Sequence, residues 1–105
     1  MNLESFVSRV KDFDNLSPAD KIPYLAYFVI NEMKKEYFTG TDIVKCFSEL
    51  QIAPYSNVSA YLINKSKGVS RFFLKGKKGY LLERSLNNTI KENIGDTIAT
   101  MPTND

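Results

Sequence analysis

The feature that most restricts the fold is a pair of short apolar runs, Arg71-Phe-Phe-Leu-Lys75 and Tyr80-Leu-Leu-Glu-Arg84, joined by Gly76-Lys77-Lys78-Gly79. Aromatic and aliphatic residues on either side of a polar, glycine-bounded turn have the composition of a tight antiparallel hairpin. The glycines at 76 and 79 let the chain reverse. Two strands alone are marginal in water, so the hairpin must pack on helices. Alternation along the strands then assigns Phe72, Leu74, Tyr80 and Leu82 to the inward face.

The remaining apolar residues recur at helical spacing. Leu3, Phe6, Val7, Val10 and Phe13 predict an amphipathic helix over 3–13, ended by Asp14 and Asn15. Ser17 and Pro18 are an N-cap and first-turn pair, with Asp20 placed to return a capping bond. From there Ile22, Leu25, Ala26, Val29, Ile30 and Met33 form one stripe, which predicts a helix to about Glu36 with Lys34 and Lys35 at its negative end. Tyr37 to Thr39 favour an extended stretch. Thr41 and Asp42 then open a third helix carrying Ile43, Val44, Phe47 and Leu50, which the segment Gln51 to Pro54 breaks.

Ser56 is an N-cap candidate for a fourth helix, with Val58, Leu62 and Ile63 on its apolar side, up to Gly68. Leu82, Leu86, Ile90, Ile94 and Ile98 recur every four residues and predict a last helix over about 85–95. The tail, 100–105, reads as disordered. The expected class is α+β, mostly helical, in one domain spanning 1–105. No repeat or linker divides it.

Charge is unevenly distributed. Residues 65–84 hold seven bases, Lys65, Lys67, Arg71, Lys75, Lys77, Lys78 and Arg84, against the single acid Glu83, a net +6. The other 85 residues hold seven bases and eleven acids, a net −4. A localised positive footprint on an otherwise acidic chain is what phosphate recognition needs and solubility does not.

Several functions are disfavoured. The chain has no histidine, which removes the commonest general base and the usual nucleophile–base pairs, so no enzymatic role is expected. Cys46 is the single cysteine, with no second thiol or imidazole to complete a zinc site, and it reads as a buried helical residue. No metal or cofactor is expected. The N-terminus lacks the apolar run of a signal peptide, and the longest apolar stretch, Tyr24 to Ile30, is far below the roughly 20 residues that span a bilayer. A cytoplasmic location, away from membranes, is the expectation.

The order of a long helix, an extended piece, two short helices separated by a turn and a basic hairpin resembles the winged helix-turn-helix superfamily. The resemblance covers about 17–84. It rests on Phe38-Thr-Gly-Thr-Asp-Ile-Val, Tyr55-Ser-Asn-Val-Ser-Ala-Tyr-Leu, Gly68-Val and Lys75-Gly-Lys-Lys-Gly-Tyr-Leu-Leu. It implies a helix before the turn, a recognition helix, the start of the sheet and a wing, with an extra helix at each end of the core.

On that reading double-stranded DNA is the partner. With Val58, Leu62 and Ile63 inward, the opposite face of the fourth helix carries Asn57, Ala60, Tyr61, Asn64 and Lys67, with Lys65 at the boundary. Asn64 could pair with an adenine edge, Tyr61 could touch a thymine methyl or a phosphate, and Ser56 would lie near the backbone. Arg71 falls in the same basic run, and Lys75, Lys77 and Lys78 would hold phosphates from the wing. The first and last helices could cover their own domain or a second copy of the chain. Winged helices also serve as protein-binding adaptors, which is the competing function.

Overall fold

The computed structural model describes the backbone of residues 2–99 and the side chains of residues 2–94. Among these residues the chain forms five α-helices and one two-stranded antiparallel sheet: α1 Leu3–Val7, α2 Pro18–Tyr27, α3 Gly40–Glu49, α4 Val58–Asn64, β1 Phe73–Lys75, β2 Tyr80–Leu82 and α5 Arg84–Ala99. It is a small, mostly helical α+β protein.

The first helix is shorter than its apolar spacing suggested. Asn2 caps α1 by accepting the Ser5 N–H, and after Val7 the chain proceeds through turns to a 3₁₀ turn at Phe13–Asn15. Asp12, at φ 57°, takes the left-handed conformation that stops a continuous helix. The four apolar anchors Leu3, Phe6, Val10 and Phe13 are nevertheless all buried. Their spacing reported burial correctly while the backbone between them uncoiled.

Ser17 caps α2, its hydroxyl accepting the Asp20 N–H at 3.2 Å, with Pro18 in the first turn. The helix continues as a single π-helical turn, Phe28–Glu32, in which the Met33 N–H reaches back to the Phe28 carbonyl at 3.0 Å. Lys34 then turns left-handed at φ 61°, so the helix stops short of Glu36 and Met33 lies exposed.

The third helix starts at Gly40, and its cap is Thr39, not Thr41. Thr39 and Asp42 form a reciprocal capping box: the Thr39 hydroxyl accepts the Asp42 N–H at 3.3 Å, and the Asp42 carboxylate accepts the Thr39 N–H at 2.9 Å. Gly40 lies where α3 crosses α4; a β-carbon there would sit 3.6 to 3.9 Å from Ser59, Val58 and Leu62.

The hairpin pairs Phe73 with Leu82, Leu74 with Leu81 and Lys75 with Tyr80. Directly opposed residues share a face, so odd-numbered residues of β1 lie beside even-numbered residues of β2. With Leu82 inward, Phe73 must be inward as well, and it is fully buried. Leu74, assigned to the inner face from alternation alone, is exposed together with its partner Leu81, and Phe72 is half-buried.

Neither hairpin glycine uses a positive φ. Gly79 is required for a different reason: a β-carbon there would sit 2.6 Å from the Phe38 carbonyl oxygen and 2.6 Å from the Tyr37 ring. This close approach brings the segment before α3 onto the outer edge of β2. Phe38 and Tyr80 exchange two backbone hydrogen bonds there, Phe38 N–H to Tyr80 O at 2.9 Å and Tyr80 N–H to Phe38 O at 2.7 Å.

The core is continuous from α1 to α5. Phe6, Ile22, Leu25, Phe38, Ile43, Phe47, Leu62, Phe73 and Ile90 are essentially inaccessible, and Phe38 meets Phe73 edge-to-face at 5.3 Å. The last helix begins at Arg84 and runs through Gly95 to Ala99, past its expected end. Ile90 and Ile94 are buried in the chain's own core, and Asn31 donates to the Asn87 side chain at 3.1 Å to tie α5 to the end of α2. With the anchors of α1 also buried, neither terminal helix presents an unfilled apolar stripe among the described residues. Ile98 and the tail 100–105 lie outside the described side chains.

Candidate nucleic-acid interface

The fourth helix is positioned by three local devices. Asn57, not Ser56, is its N-cap, the side-chain oxygen accepting the Ala60 N–H at 3.0 Å. The first turn of α3 crosses α4 at Gly40, where even a β-carbon would make ordinary van der Waals contact with Val58, Ser59 and Leu62. At its other end the Lys65 carbonyl accepts the N–H groups of Phe72 and Phe73 at 2.7 and 3.2 Å, which locks the helix C-terminus onto the start of the hairpin. Between them Gly68, at φ 79°, turns the chain.

The buried side of α4 consists of Val58, Tyr61 and Leu62, the i, i+3, i+4 set. Tyr61, expected on the reading face, is only 8% exposed and packs against Tyr55 and Phe73 at ring separations of 5.6 and 6.2 Å. Burial pushes its hydroxyl up to about 12, with Asp20 and Tyr55 adding to the shift. It is therefore removed from the base-contacting set. Ile63, expected inside, is 38% exposed. The signal was available: Val58 and Leu62 fix the inward direction, and Tyr61 lies nearer to it than Ile63 at 100° per residue.

The outward face carries Ser59, Ile63 and Asn64, all exposed, and the half-buried Ala60; the helix ends at Asn64 with Lys65 as its C-cap, not near Gly68, so the exposed Lys67 lies in the turn beyond it. Ser59 was not singled out from the sequence. Ser56 and Asn57 are also exposed, on the wall of a crevice of about 340 Å³ shared with Thr41 and Val44 of α3. Asn57 spends its side-chain oxygen on the cap, which leaves its amide NH₂ for an outside partner.

Arg71, Lys75, Lys77 and Lys78 are exposed along the hairpin, and Lys67 is exposed beside α4. Among the described residues the one salt bridge is Lys35–Asp42 at 3.0 Å, so no carboxylate lies within 4.0 Å of any base in 65–84. Lys78 borders a crevice with Lys35, Glu36 and Tyr37, because Gly79 holds the turn against that segment. Lys65 is engaged differently. Its ammonium lies over two rings, 5.0 Å from the centre of Phe72 and 5.9 Å from that of Tyr61.

Elsewhere, Cys46 is buried on α3, and burial, with Glu49 and Asp42 nearby, pushes its thiol up to about 12. Among the described residues no three His, Cys, Asp or Glu side chains converge to hold a metal, and no helix is long and apolar enough to cross a membrane. Comparison with known protein families, curated proteins and solved structures finds no match to this chain.

Proposed function

We propose that this chain is a winged helix-turn-helix domain that binds duplex DNA, with α4 in the major groove and the hairpin as the wing. The observation that carries the reading is the set of exposed cations on Lys67, Arg71, Lys75, Lys77 and Lys78, none with a carboxylate in salt-bridge distance among the described residues, on the segment that follows α4 directly in the chain. Phosphate contact gains from cations that no internal carboxylate already neutralises. An α-helix with short polar side chains can enter a major groove, where Asn64 is suited to the N6 and N7 edge of adenine. Ser59 joins Ser56, Asn57, Ala60, Asn64 and Lys67 as a candidate contact, and Tyr61 becomes a packing residue that holds the helix in place. The lysines of the wing add affinity with little sequence information. The reading assigns the chain no catalytic step, in keeping with a buried, protonated Cys46 and the absence of histidine.

Titration of mixed-sequence duplex at several salt concentrations tests this. We expect log K to fall against log salt with a slope of about −3 to −5, corresponding to four or five phosphate contacts. After selection of a preferred site, Asn64→Ala should lose about 1 to 3 kcal/mol on that site and almost nothing on scrambled DNA. No binding at low salt, or a flat salt dependence, sinks the reading. A protein-binding adaptor would then be favoured by the exposed Leu74–Leu81 pair on the outer face of the hairpin.

A further inference from the structure

Beside the outward face of α4 lies a second groove of about 450 Å³, lined by Ala19, Asp20, Tyr55, Ala60, Tyr61, Asn64, Lys65 and Phe72. Its size is within the roughly 300 to 1,000 Å³ of ligand pockets. The α2 N-terminus forms one wall and the flank of α4 the other. Tyr55 and Tyr61 meet edge-to-face at 5.6 Å, and both Tyr55 and Phe72 are only half-buried, so ring surface is left to the groove.

The polar groups are distributed to match one kind of ligand. Lys65 lines the groove and rides over Phe72 and Tyr61, with no carboxylate within salt-bridge distance among the described residues. The Asp20 backbone N–H is spent on the Ser17 cap, but its carboxylate is exposed and lies close enough to raise the Tyr61 hydroxyl further. Asn64 is shared by this groove and the outward face.

We propose that the groove receives a nucleotide whose base is out of a duplex stack. The half-buried Tyr55 ring, which carries no ammonium, takes the flat base, Lys65 meets the phosphate, Asp20 accepts from an exocyclic amine or ring N–H, and Asn64 contributes one donor or acceptor. A cationic ligand, such as an arginine side chain, fits less well because the Lys65 ammonium that lines the groove repels it. The inference rests on the DNA-binding reading for the source of the nucleotide, an unpaired position in or at the end of a duplex; a free mononucleotide would offer the same chemistry.

The test is a fluorescence titration of the full chain with three probes: a blunt duplex, the same duplex bearing one unpaired adenine overhang, and adenosine monophosphate. Wild type should bind the overhang duplex roughly fivefold or more tighter than the blunt one, at the lower end of what one base stacked on an aromatic ring supplies. Tyr55→Leu, which keeps apolar bulk and loses the ring, should abolish that increment and leave blunt-duplex affinity within about twofold, while Tyr55→Phe retains it. Asp20→Asn, conservative in shape and exposed, gives a readout independent of packing: it should change the preference among overhang bases. Adenosine monophosphate bound by wild type and lost in Tyr55→Leu, with no overhang increment, would keep the site and assign it to free nucleotide. Equal affinity for blunt and overhang duplex with no binding of the mononucleotide, or an increment that survives Tyr55→Leu, overturns the proposal while leaving the duplex reading intact. Loss of blunt-duplex binding by wild type is the separate failure of that reading.

Discussion

The helical body, residues 2–64, and the basic segment, residues 65–84, differ in charge balance: the body holds six bases against eight acids, the segment seven bases against one. In the body, Lys35 pairs with Asp42 at 3.0 Å, Asp42 closes a helix cap, and the ammonium of the buried Lys21 sits 5.4 Å over the Phe13 ring. In the basic segment all seven cations are exposed and none has a salt-bridge partner among the described residues, with Lys65 held over aromatic rings; Lys11, Lys34 and Lys45 of the body are exposed in the same way, but on a region with more acids than bases. Exposed cations contribute little to folding stability, and their mutual repulsion is a small cost the body must absorb. The difference teaches where to look for an anionic ligand: a run of cations with a single acid among them presents a net positive surface that cations scattered among acids do not.

Substitutions can break or sharpen this comparison, beginning with the hairpin, where both kinds of residue alternate. Phe73→Ala should destabilise the protein by about 3 to 5 kcal/mol in a denaturant titration, because a fully buried ring leaves a cavity. Lys75→Ala, two residues along, should change stability by less than about 0.5 kcal/mol. Comparable losses would mean that the basic segment is structural after all. Gly79→Ala comes next. Its β-carbon would meet the Phe38 carbonyl oxygen at 2.6 Å, so the hairpin and the segment before α3 must part, at a cost of about 1 to 3 kcal/mol seen as a lowered Tm. An unchanged Tm would show that the wing is not held against the body.

Asp42→Ala should cost about 1 kcal/mol, the worth of a helix cap. Burial pushes the Asp42 carboxyl up, but hydrogen bonds from Lys35 and Thr39 outweigh it and hold the group below its ordinary value. A lowered folded-state pKa adds stability that is fully present above the unfolded value, near 4, and is lost as pH falls through the folded one. The gap between wild type and Asp42→Ala should therefore shrink on acidification below about pH 4, and a gap constant with pH would remove the charge from the explanation. The smallest effect is expected for Lys77→Ala with Lys78→Ala: less than about 0.5 kcal/mol on stability, alongside a salt slope flatter by about two contacts on any duplex. A double variant that binds DNA as wild type does would relieve the wing of its proposed role.

Part of this was legible in the sequence because it depends on chain neighbours alone. The hairpin with its Gly76–Gly79 turn, the Ser17-Pro18 helix start, the burial of Phe38 and Phe47 and the segregation of positive charge all follow from local composition and spacing. Other features depended on which of several local options the rest of the fold selected. The capping residues 39 and 57 lie one or two positions from those expected, because any nearby Thr, Ser or Asn can cap and packing chooses among them. The sequence also determined that Leu3, Phe6, Val10 and Phe13 belong to the core, but only the tertiary structure decided that the helix through them would end at Val7 and the chain turn left-handed at Asp12. In the same way Tyr61 carries a polar tip that suits a surface, yet it lies inside because Tyr55 and Phe73, remote in sequence from one another, converge on its ring. Alternation within one strand cannot distinguish Phe73 from Leu74. The choice came from register: pairing across the turn sets Phe73 beside Leu82, and the hydrophobic gain of burying that face against Phe38 fixes which side of the hairpin looks in.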